Sequence, residues 1–315
     1  VCRLMEAQQQ SLVVRAPAKI NLTLEILGRR ADGYHEVRSI LMPIGVCDEI
    51  TLQPAVAGRL DLKVEPVNGV SLEALCPPDK NLAIRAARLL QEECGVDYGA
   101  TITVRKQIPI GGGLGGGSTD AAAVLVGLNR LWHLGLTKVE LAELGGHLGC
   151  DIPGLAHGGA VVVGGRGERL EAIKPAKVGA ARRFWLVVAN PGVTCHTKEI
   201  YNRHNGGLTI SPVFYHNMLL SIGMGDVFAA ARYLFNGLQP VVFDNYPETR
   251  RLAERLEDAG ALGVLLSGSG ASVFALVRDE QHADNVVRRL ASEYWSVKTT
   301  TLPDGVMVAH GPLEP

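Results

Sequence analysis

The sequence predicts an α+β protein of two domains with mixed β-sheets. At 315 residues the chain is long enough for about two domains of ordinary size. Segments with strand-like alternation and segments with helical periodicity follow one another, but hairpin-like stretches broken by proline and glycine are frequent. Such hairpins favour mixed sheets over the purely parallel sheet of a doubly wound fold. We place the two domains at 12–170 and 171–315.

The N-terminal part is predicted to be mainly strand. Residues 12–27 alternate in hydrophobicity, with a bend at Pro17, and the segment 39–55 offers two more strands. Asp32-Gly33 lies between them and predicts a turn, because such a pair tolerates positive φ. The strand ATITVRKQIPI, 100–110, follows later.

Helices are predicted from apolar periodicity and from end signals. The segment 82–94 follows Asn81 and is stopped by Gly95, and a capping box Thr137-x-x-Glu140 opens another helix. In the second half, two helical segments at about 213–235 and 246–259 lie between the strands FWLVVANP and VLLSGSGASVFALV.

Composition and charge exclude two broad classes of function. The chain has 31 Lys and Arg against 32 Asp and Glu, a formal net charge of −1. A general nucleic-acid or membrane-surface binder would need a cationic face to offset phosphate charge. No apolar run approaches the roughly 18–20 residues that span a bilayer. We expect no nucleic-acid partner and no membrane association, and the sequence indicates no obligate protein partner.

The cysteines and the N-terminus bear on the cellular compartment. Six cysteines are scattered without Cys-x-x-Cys spacing, which indicates reduced, mostly buried thiols and predicts a cytoplasmic location. The first ten residues, VCRLMEAQQQ, contain no hydrophobic segment and are not expected to be a secretory signal.

The stretch PIGGGLGGGSTD, residues 109–120, carries six glycines between a predicted strand and a predicted helix. Gly111-x-Gly113-x-x-Gly116 fits a dinucleotide fingerprint, but that fingerprint belongs in the first βα turn, with an acidic residue on a second strand about 20 residues on. Here the acidic residue at that distance, Glu140, lies in a predicted helix. A P-loop would need a lysine directly before the hydroxyl residues. A flexible linker is a further interpretation, but linkers do not usually join a strand to a capped helix.

A phosphate cradle of another kind explains the stretch best. Successive glycine N–H groups can turn toward an anion when no Cβ blocks its approach, and the following helix adds its unpaired donors and dipole. Ser118 or Thr119 would supply a hydroxyl for Mg²⁺, and with Asp120 they stand where helix-capping residues belong. The glycines alone leave NAD and ATP open. The absent lysine, the late position in the chain and the hydroxyl pair favour ATP.

Three stretches together resemble the GHMP kinase superfamily, named for galactokinase, homoserine, mevalonate and phosphomevalonate kinases. They are APAKINLTLEI, PIGGGLGGGSTDAA and SGSGASVFA. More narrowly, PAKINLTLEILGRRADGYHEVRSI and LGCDIP with GGAVVVGGRGE resemble the 4-diphosphocytidyl-2-C-methyl-D-erythritol kinase family, and the likeness runs nearly the full length. The resemblance implies a two-domain GHMP kinase-like fold, an active site in the interdomain cleft, and the use of ATP and Mg²⁺.

The resemblance also implies roles for individual residues. Lys19 and Asp151 match the catalytic lysine and aspartate, and Asn81 matches an asparagine beside the nucleoside of ATP. The positions that match the phosphate-binding loop are Pro109, Gly111, Gly112, Gly113, Leu114, Gly115, Gly116, Gly117, Ser118 and Thr119, with Ser118 as the candidate Mg²⁺ ligand. The positions that match substrate-binding residues are Asn21, Tyr34, His35, Thr197 and Tyr201.

Several of these residues also have a purely structural interpretation. Lys19 would then be an exposed edge-strand lysine, Asp151 a turn or capping aspartate, and Tyr34-His35 surface residues beside a turn. The small-residue turn Ser267–Gly270 would serve close backbone packing rather than close on the phosphates as a lid.

Two departures from the family pattern stand out. Ile152-Pro153 is followed by Gly154-Leu155 where bulky aromatic residues are usual, and the usual Asn-Asp-Leu-Glu of the second domain is replaced by residues 236–239, NGLQ. The first would alter packing behind Asp151. The second removes two carboxylates.

The sequence as a whole predicts a kinase that transfers the γ-phosphoryl group of MgATP to the 2-hydroxyl of a cytidine diphosphate-linked methylerythritol, in non-mevalonate isoprenoid precursor biosynthesis. The alternatives are another small-alcohol kinase of the homoserine or mevalonate class, a non-catalytic nucleotide-binding module, and a dinucleotide-dependent oxidoreductase. A mere binder would need neither Lys19 nor Asp151, which disfavours the module.

Overall fold

The computed structural model describes residues 11–173, 183–204, 209, 211–290 and 293–310. The first ten residues, in which no secretory signal is predicted, lie outside this part of the chain. So does the segment 174–182, which follows the predicted domain boundary at 170/171; that boundary stays a prediction.

The described residues form both strands and helices, in runs of one to three elements of the same type. The strands are β1 (Leu12–Arg29), β2 (His35–Ala55), β3 (Leu60–Pro66), β4 (Gly99–Lys106), β5 (Val161–Gly165), β6 (Arg169–Ala172), β7 (Trp185–Asn190), β8 (Phe235–Asn236), β9 (Gly263–Leu266), β10 (Val273–Val277), β11 (Trp295–Thr300) and β12 (Met307–His310). The α-helices are α1 (Leu82–Cys94), α2 (Gly116–Leu131), α3 (Lys138–Gly146), α4 (Ile152–His157), α5 (Thr197–Arg203), α6 (Pro212–Met224), α7 (Val227–Arg232), α8 (Gln239–Asn245), α9 (Pro247–Asp258) and α10 (Glu280–Leu290).

The strands form two sheets. The larger one has the order β12-β1-β2-β4-β3, with β5 on β2, β6 on β5 and β8 on β1. Its β3–β4 and β1–β8 pairs are parallel and the others are antiparallel. The smaller sheet, β11-β7-β10-β9, is antiparallel throughout. The predicted α+β class with a mixed sheet is confirmed, and β8 and β12 return from the second half of the chain to β1.

The predicted end signals explain most helix bounds. Asn81 caps α1 by accepting a hydrogen bond from the Ala83 N–H, and Gly95 ends that helix in the left-handed conformation. The capping box of Thr137 and Glu140 is present at α3. The helical segment predicted at 213–235 was wrong as one helix, because Gly225 ends α6 in the left-handed conformation.

The predicted pair of strands in 39–55 is one continuous strand, β2, which begins already at His35. Register irregularities in the β1–β2 ladder, one of them between Pro17 and Lys19 opposite Pro43, take up the prolines without breaking the pairing. The long β1–β2 pair therefore contributes residues both to the centre of the candidate site described below and to its far end.

Three apolar clusters hold the layers together. Helices α1 to α4 cover one face of the larger sheet, and α9 and α10 pack on the smaller sheet. A third cluster joins both sheets, with Ile20 and Leu22 of β1 beside Val188 of β7 and Phe274 of β10. Because this shared core is buried, the two halves meet along a fixed seam, and the cavity described below opens beside it. No helix of the described residues is long and apolar enough to cross a membrane.

Candidate active site

A cavity of about 1080 Å³ opens between the glycine loop, the β1–β2 ladder and the second half of the chain. It gathers nearly all the residues that the sequence singled out. Those on its wall are Lys19, Asn21, Tyr34, His35, Asn81, Pro109, Gly111, Gly112, Gly113, Leu114, Gly115, Gly116, Gly117, Ser118, Asp151, Thr197 and Tyr201. The exception is Thr119.

The carbonyl groups of the glycine loop point into the protein. Those of Gly111 and Gly112 accept hydrogen bonds from the N–H groups of Cys195 (3.4 Å) and Ser272 (2.9 Å). The Gly113 carbonyl accepts from the Ser267 hydroxyl at 3.0 Å, and that of Leu114 from the Lys19 N–H, also at 3.0 Å. Four successive carbonyls are thus held by other parts of the chain.

The N–H groups of the same loop, unlike its carbonyls, are not used in hydrogen bonds to the rest of the described chain. Within the described residues, no protein acceptor pairs with the N–H groups from Gly113 to Ser118. Gly111, Gly113 and Gly115 all have positive φ, and this alternation turns the peptide groups so that carbonyls and N–H groups face opposite sides. The N–H groups of Gly116 to Ser118 are the unpaired donors of the first turn of α2, and together with those of the preceding loop they line the cavity wall with donors suited to an anion.

The glycines are required mainly by contacts within the protein. A Cβ on Gly113 would lie 2.2 Å from the Ser267 carbonyl oxygen, and one on Gly115 would lie 3.0 Å from the Lys19 side chain. Gly117 differs, because a Cβ there would meet only the Leu82 side chain at 3.7 Å. Space for a ligand is therefore the reason for glycine at position 117 more than at 113.

The predicted capping role of the residues after the loop was wrong. Helix α2 begins at Gly116, and its N-cap is Gly115, which offers no side-chain bond. Ser118 and Thr119 therefore lie inside the first turn. Ser118 lines the cavity, whereas the Thr119 side chain is fully buried and the Thr119 N–H donates to the Gly115 carbonyl.

Lys19 and Asp151 meet at the centre of the cavity. The Lys19 Nζ lies 3.6 Å from the Asp151 Oδ2 and donates to the Asn21 Oδ1 at 2.8 Å. The Asn21 amide nitrogen in turn donates to the Ser39 hydroxyl at 2.7 Å. Both ends of the Asn21 amide are therefore hydrogen-bonded, and its oxygen holds the Lys19 ammonium in place. Lys19 is 4% exposed, which contradicts an exposed edge-strand lysine. Asp151 stands at the N-cap of α4 but makes no capping bond.

The turn Ser267–Gly270 closes over this centre. A Cβ on Gly268 would lie 2.8 Å from the Lys19 Nζ and 2.9 Å from the Gly113 carbonyl oxygen. The Ser269 hydroxyl is hydrogen-bonded to the Thr197 hydroxyl at 2.8 Å, which ties the turn to α5. Close backbone packing thus accounts for the small residues here, and it places the turn against both the glycine loop and the lysine.

An aromatic group lines the other end of the cavity. The rings of His35 and Tyr201 lie 5.2 Å apart, and the exposed Tyr34 ring has the Arg166 guanidinium 5.4 Å from its centre. Burial lowers the pKa of His35, and the electrostatic effects of the neighbouring His204 and Arg29 lower it further. His35 is therefore neutral at neutral pH and offers one hydrogen-bond donor and one acceptor.

Sequence reasoning missed two groups on the wall. Arg166 lies in the turn after β5, and the buried Lys106 and Asp120 flank the glycine loop. The sequence does carry a signal for the second pair, because Lys106 ends a strand with a buried apolar face and Asp120 directly precedes an apolar helical run, where charged residues are costly unless paired. Among the described residues, no group of three or more His, Cys, Asp or Glu side chains is arranged to hold a metal ion.

The two departures from the family pattern have local explanations. Gly154 lies beside Val161, where a Cβ would make ordinary contact with the valine methyl at 3.4 Å, and Leu155 is buried in the core behind Asp151. In the second half, Asn236 donates to the Leu266 and Gly268 carbonyls and Gln239 accepts from the Leu266 N–H. None of residues 236–239 lines the cavity.

Family models match both halves of the chain. The GHMP kinases N terminal domain matches residues 81–165, and the GHMP kinases C terminal domain matches residues 223–297. A 4-diphosphocytidyl-2-C-methyl-D-erythritol kinase of Pelotomaculum thermopropionicum is 41% identical over 87% of this chain and 92% of its own length. The enzyme of the same name from Bacillus cereus is 40% identical over 89% of this chain and 91% of its own length.

Solved structures show the same relationship. A 4-(cytidine 5'-diphospho)-2C-methyl-D-erythritol kinase superposes with a TM-score of 0.70 at 30% identity, covering 92% of this chain and 98% of its own. A homoserine kinase from Cytophaga hutchinsonii has a TM-score of 0.71 at 20% identity, covering 95% and 97%, and shares the fold. The chain therefore belongs to the GHMP kinases, within the family of the 4-diphosphocytidyl-2-C-methyl-D-erythritol kinases, and is an ATP-using phosphotransferase.

Proposed function

We propose that the protein transfers the γ-phosphoryl group of ATP to the 2-hydroxyl of 4-diphosphocytidyl-2-C-methyl-D-erythritol, a step in non-mevalonate isoprenoid precursor biosynthesis. One observation carries the proposal. A single cavity holds the row of free N–H groups, the Lys19–Asp151 pair 3.6 Å apart and the His35–Tyr201 ring pair. These three groups suit a phosphate chain, a reacting hydroxyl and a nucleobase, in that order along the cavity.

The glycine loop would hold the phosphates of ATP. Its N–H groups from Gly113 to Ser118 are without protein acceptors in the described part of the chain, and the N-terminus of α2 adds its dipole. Asn81 and the Leu82 side chain, on the wall beside Gly117, would lie against the nucleoside.

Mg²⁺ would enter with ATP and neutralise phosphate charge. Mg²⁺ keeps several waters and binds through phosphates and one or two protein oxygens, so the lack of a dedicated cluster among the described residues is compatible with it. Ser118, which lines the cavity in the first turn of α2, would supply the protein hydroxyl that fits this role.

Lys19 and Asp151 would carry the chemistry. Asp151 would orient the acceptor hydroxyl and accept its proton as the new O–P bond forms and the bond to the leaving ADP oxygen breaks. Phosphoryl transfer is loose and demands little early deprotonation, so orientation outweighs basicity. The Lys19 ammonium, held by Asn21, would stabilise the negative charge on the transferring group.

The aromatic end would recognise the cytidine. A cytosine ring can stack on Tyr34 or Tyr201 and hydrogen-bond to the neutral His35, while Thr197 lies within the same wall. The Arg166 guanidinium lies over the Tyr34 ring on the cavity wall, and its neighbour Gly167 packs against Cys150, the residue before Asp151. Arg166 would therefore face the diphosphate that joins the two ends of the acceptor.

The compartment and partners follow from the same proposal. The five cysteines of the described chain are free thiols, although only Cys47 and Cys195 are buried, so the prediction of mostly buried thiols was wrong. We propose the cytoplasm as the location, a small molecule as the partner, and no obligate protein or nucleic-acid partner.

The test is turnover with a panel of alcohols. The protein is incubated with MgATP and the cytidylyl substrate, mevalonate or homoserine, and ADP release is followed. Turnover with the cytidylyl substrate alone is expected. Turnover with mevalonate or homoserine instead would refute the assignment, and ATP binding without any turnover would indicate a non-catalytic module.

A further inference from the structure

Three buried charged residues lie directly beneath the glycine loop. Lys106 is the last residue of β4, Asp120 lies in the first turns of α2, and Asp48 comes from the neighbouring strand β2. They are 4%, 6% and 0% exposed. Lys106 and Asp120 thus mark the two ends of the loop, residues 107–119.

The three side chains form one bonded unit. The Lys106 Nζ donates to the Asp48 Oδ2 at 2.5 Å and to the Asp120 Oδ2 at 2.6 Å. The Asp48 Oδ1 accepts from the N–H groups of Gln107 and Ile108, at 2.6 and 2.9 Å. Asp48 therefore holds the backbone where the loop begins, and Lys106 links it to the helix where the loop ends.

Electrostatics makes the three residues interdependent. Burial opposes the charge on Lys106, but the carboxylates of Asp120 and Asp48 raise its pKa, so the ammonium is retained at neutral pH. Burial raises the pKa of Asp120 well above its usual range, although Lys106 opposes this. Removing Lys106 would leave two buried carboxylates without a counter-charge, which is strongly unfavourable, whereas removing one aspartate leaves a paired ammonium and carboxylate and breaks the link between the two ends of the loop.

We propose that Asp48, Lys106 and Asp120 form a clasp that fixes the two ends of the glycine loop, so that its free N–H groups converge on the phosphates of ATP. They are positioning residues. Lys106 Nζ lies 3.1 Å from the place where a Cβ of Gly116 would be, so the clasp touches the first residue of α2. The inference rests on the proposed use of the loop for ATP.

The Asp120 carboxylate provides a sharp test, because only one of its oxygens is used. Its Oδ2 bonds to Lys106, whereas its Oδ1 is buried and has no partner among the described residues. Asp120→Asn keeps an oxygen for Lys106, and Asp120→Ala removes it. Asp120→Ala is expected to raise the KM for ATP about tenfold, with the KM for the acceptor within about twofold of wild type, and Asp120→Asn to restore most of the ATP affinity.

Asn129→Ala is the matched control on the same helix. Asn129 lies near the opposite end of α2, where its amide makes two hydrogen bonds to the Leu136 backbone. This variant loses stability without touching the loop, so its KM for ATP is expected to be unchanged. An equal rise in KM for ATP in Asn129→Ala and Asp120→Ala, at equal Tm, would overturn the proposal.

Calorimetric binding of a non-hydrolysable ATP analogue, without acceptor, separates this inference from the proposed function. Weaker binding in Asp120→Ala supports the clasp even if the acceptor assignment fails, and unchanged binding overturns the clasp even if wild type turns over the cytidylyl substrate. Should Asp120→Ala not fold, Asp48→Asn serves instead. It keeps one oxygen for the Gln107 and Ile108 N–H groups and loses the ion pair, and unchanged analogue affinity in that variant contradicts the proposal equally.

Discussion

Replacing Lys19 with methionine tests the centre of the proposed site directly. Methionine has nearly the volume and reach of the lysine stem but no charge, so it removes the ammonium without creating a large cavity. Lys19 is 4% exposed, and the substitution relieves the cost of burying a cation. The buried Asn21 Oδ1 loses its donor in this variant, so we expect the Tm to fall moderately while the protein stays folded.

The magnitude follows from the geometry around the ammonium. At 3.6 Å and an effective dielectric constant of about 20, the attraction between Lys19 and Asp151 is about 4–5 kcal/mol before screening. Asp151 is 39% exposed, so solvent reduces this value considerably. A donor aimed at charge that develops in the transition state is worth about 3–4 kcal/mol. Lys19→Met should therefore lower kcat about 10²- to 10³-fold.

The assay is ADP release at saturating MgATP and acceptor, with nucleotide affinity measured separately. Nucleotide affinity should change far less than kcat, since the free N–H groups of the loop are untouched. Lys63→Met, which removes a surface lysine paired with Glu65, controls for the loss of one positive charge. A kcat for Lys19→Met within about threefold of wild type would refute the role given to the ammonium.

Four further predictions address other parts of the cavity. Asp151→Asn should lose most turnover while ATP still binds; near-normal kcat would remove Asp151 from the mechanism. Gly117→Val should raise the KM for ATP about tenfold at unchanged Tm, because its side chain enters open cavity in the free protein; an unaltered KM would count against the loop as the ATP site. The pKa of His35 is lowered from 6.5, so the KM for the acceptor should be flat above pH 6.5 and rise only as the pH falls through the lowered pKa. The stability contributed by the neutral ring is lost as the pH falls over the same range. His35→Gln should abolish this rise in acceptor KM at low pH. Arg166→Met should raise acceptor KM about three- to tenfold, more at low salt, without changing the KM for ATP, and an effect on ATP alone would contradict its place beside the diphosphate.

The glycine loop illustrates how far the sequence could be interpreted by itself. Six glycines between a strand and a helix predict an anion-binding backbone, and the absent lysine argues against a P-loop. The sequence could not show why most of these glycines are required. Gly113 abuts Ser267 and Gly115 abuts Lys19, and both contacts join residues far apart in the chain.

Local signals determined local structure. Asn81, Gly95 and the Thr137–Glu140 capping box act within four residues of themselves, so their effects were predictable and are confirmed. The start of α2 was not, because Ser118, Thr119 and Asp120 are all good capping residues and nothing local excludes them. The loop entering at Gly115 and the pairing of Asp120 with Lys106 place that turn instead.

The sequence by itself determined the α+β class, predicted that the glycine loop binds an anion, and singled out Lys19 and Asp151 as candidate catalytic residues. Only the tertiary structure decided that Lys19 is buried and held by Asn21, that Thr119 is turned away from the cavity, and that Lys106 joins Asp48 to Asp120. The physical reason is the range of the interactions. Backbone preferences and caps act between neighbours, whereas burial and charge pairing depend on which distant segments the shared core brings together.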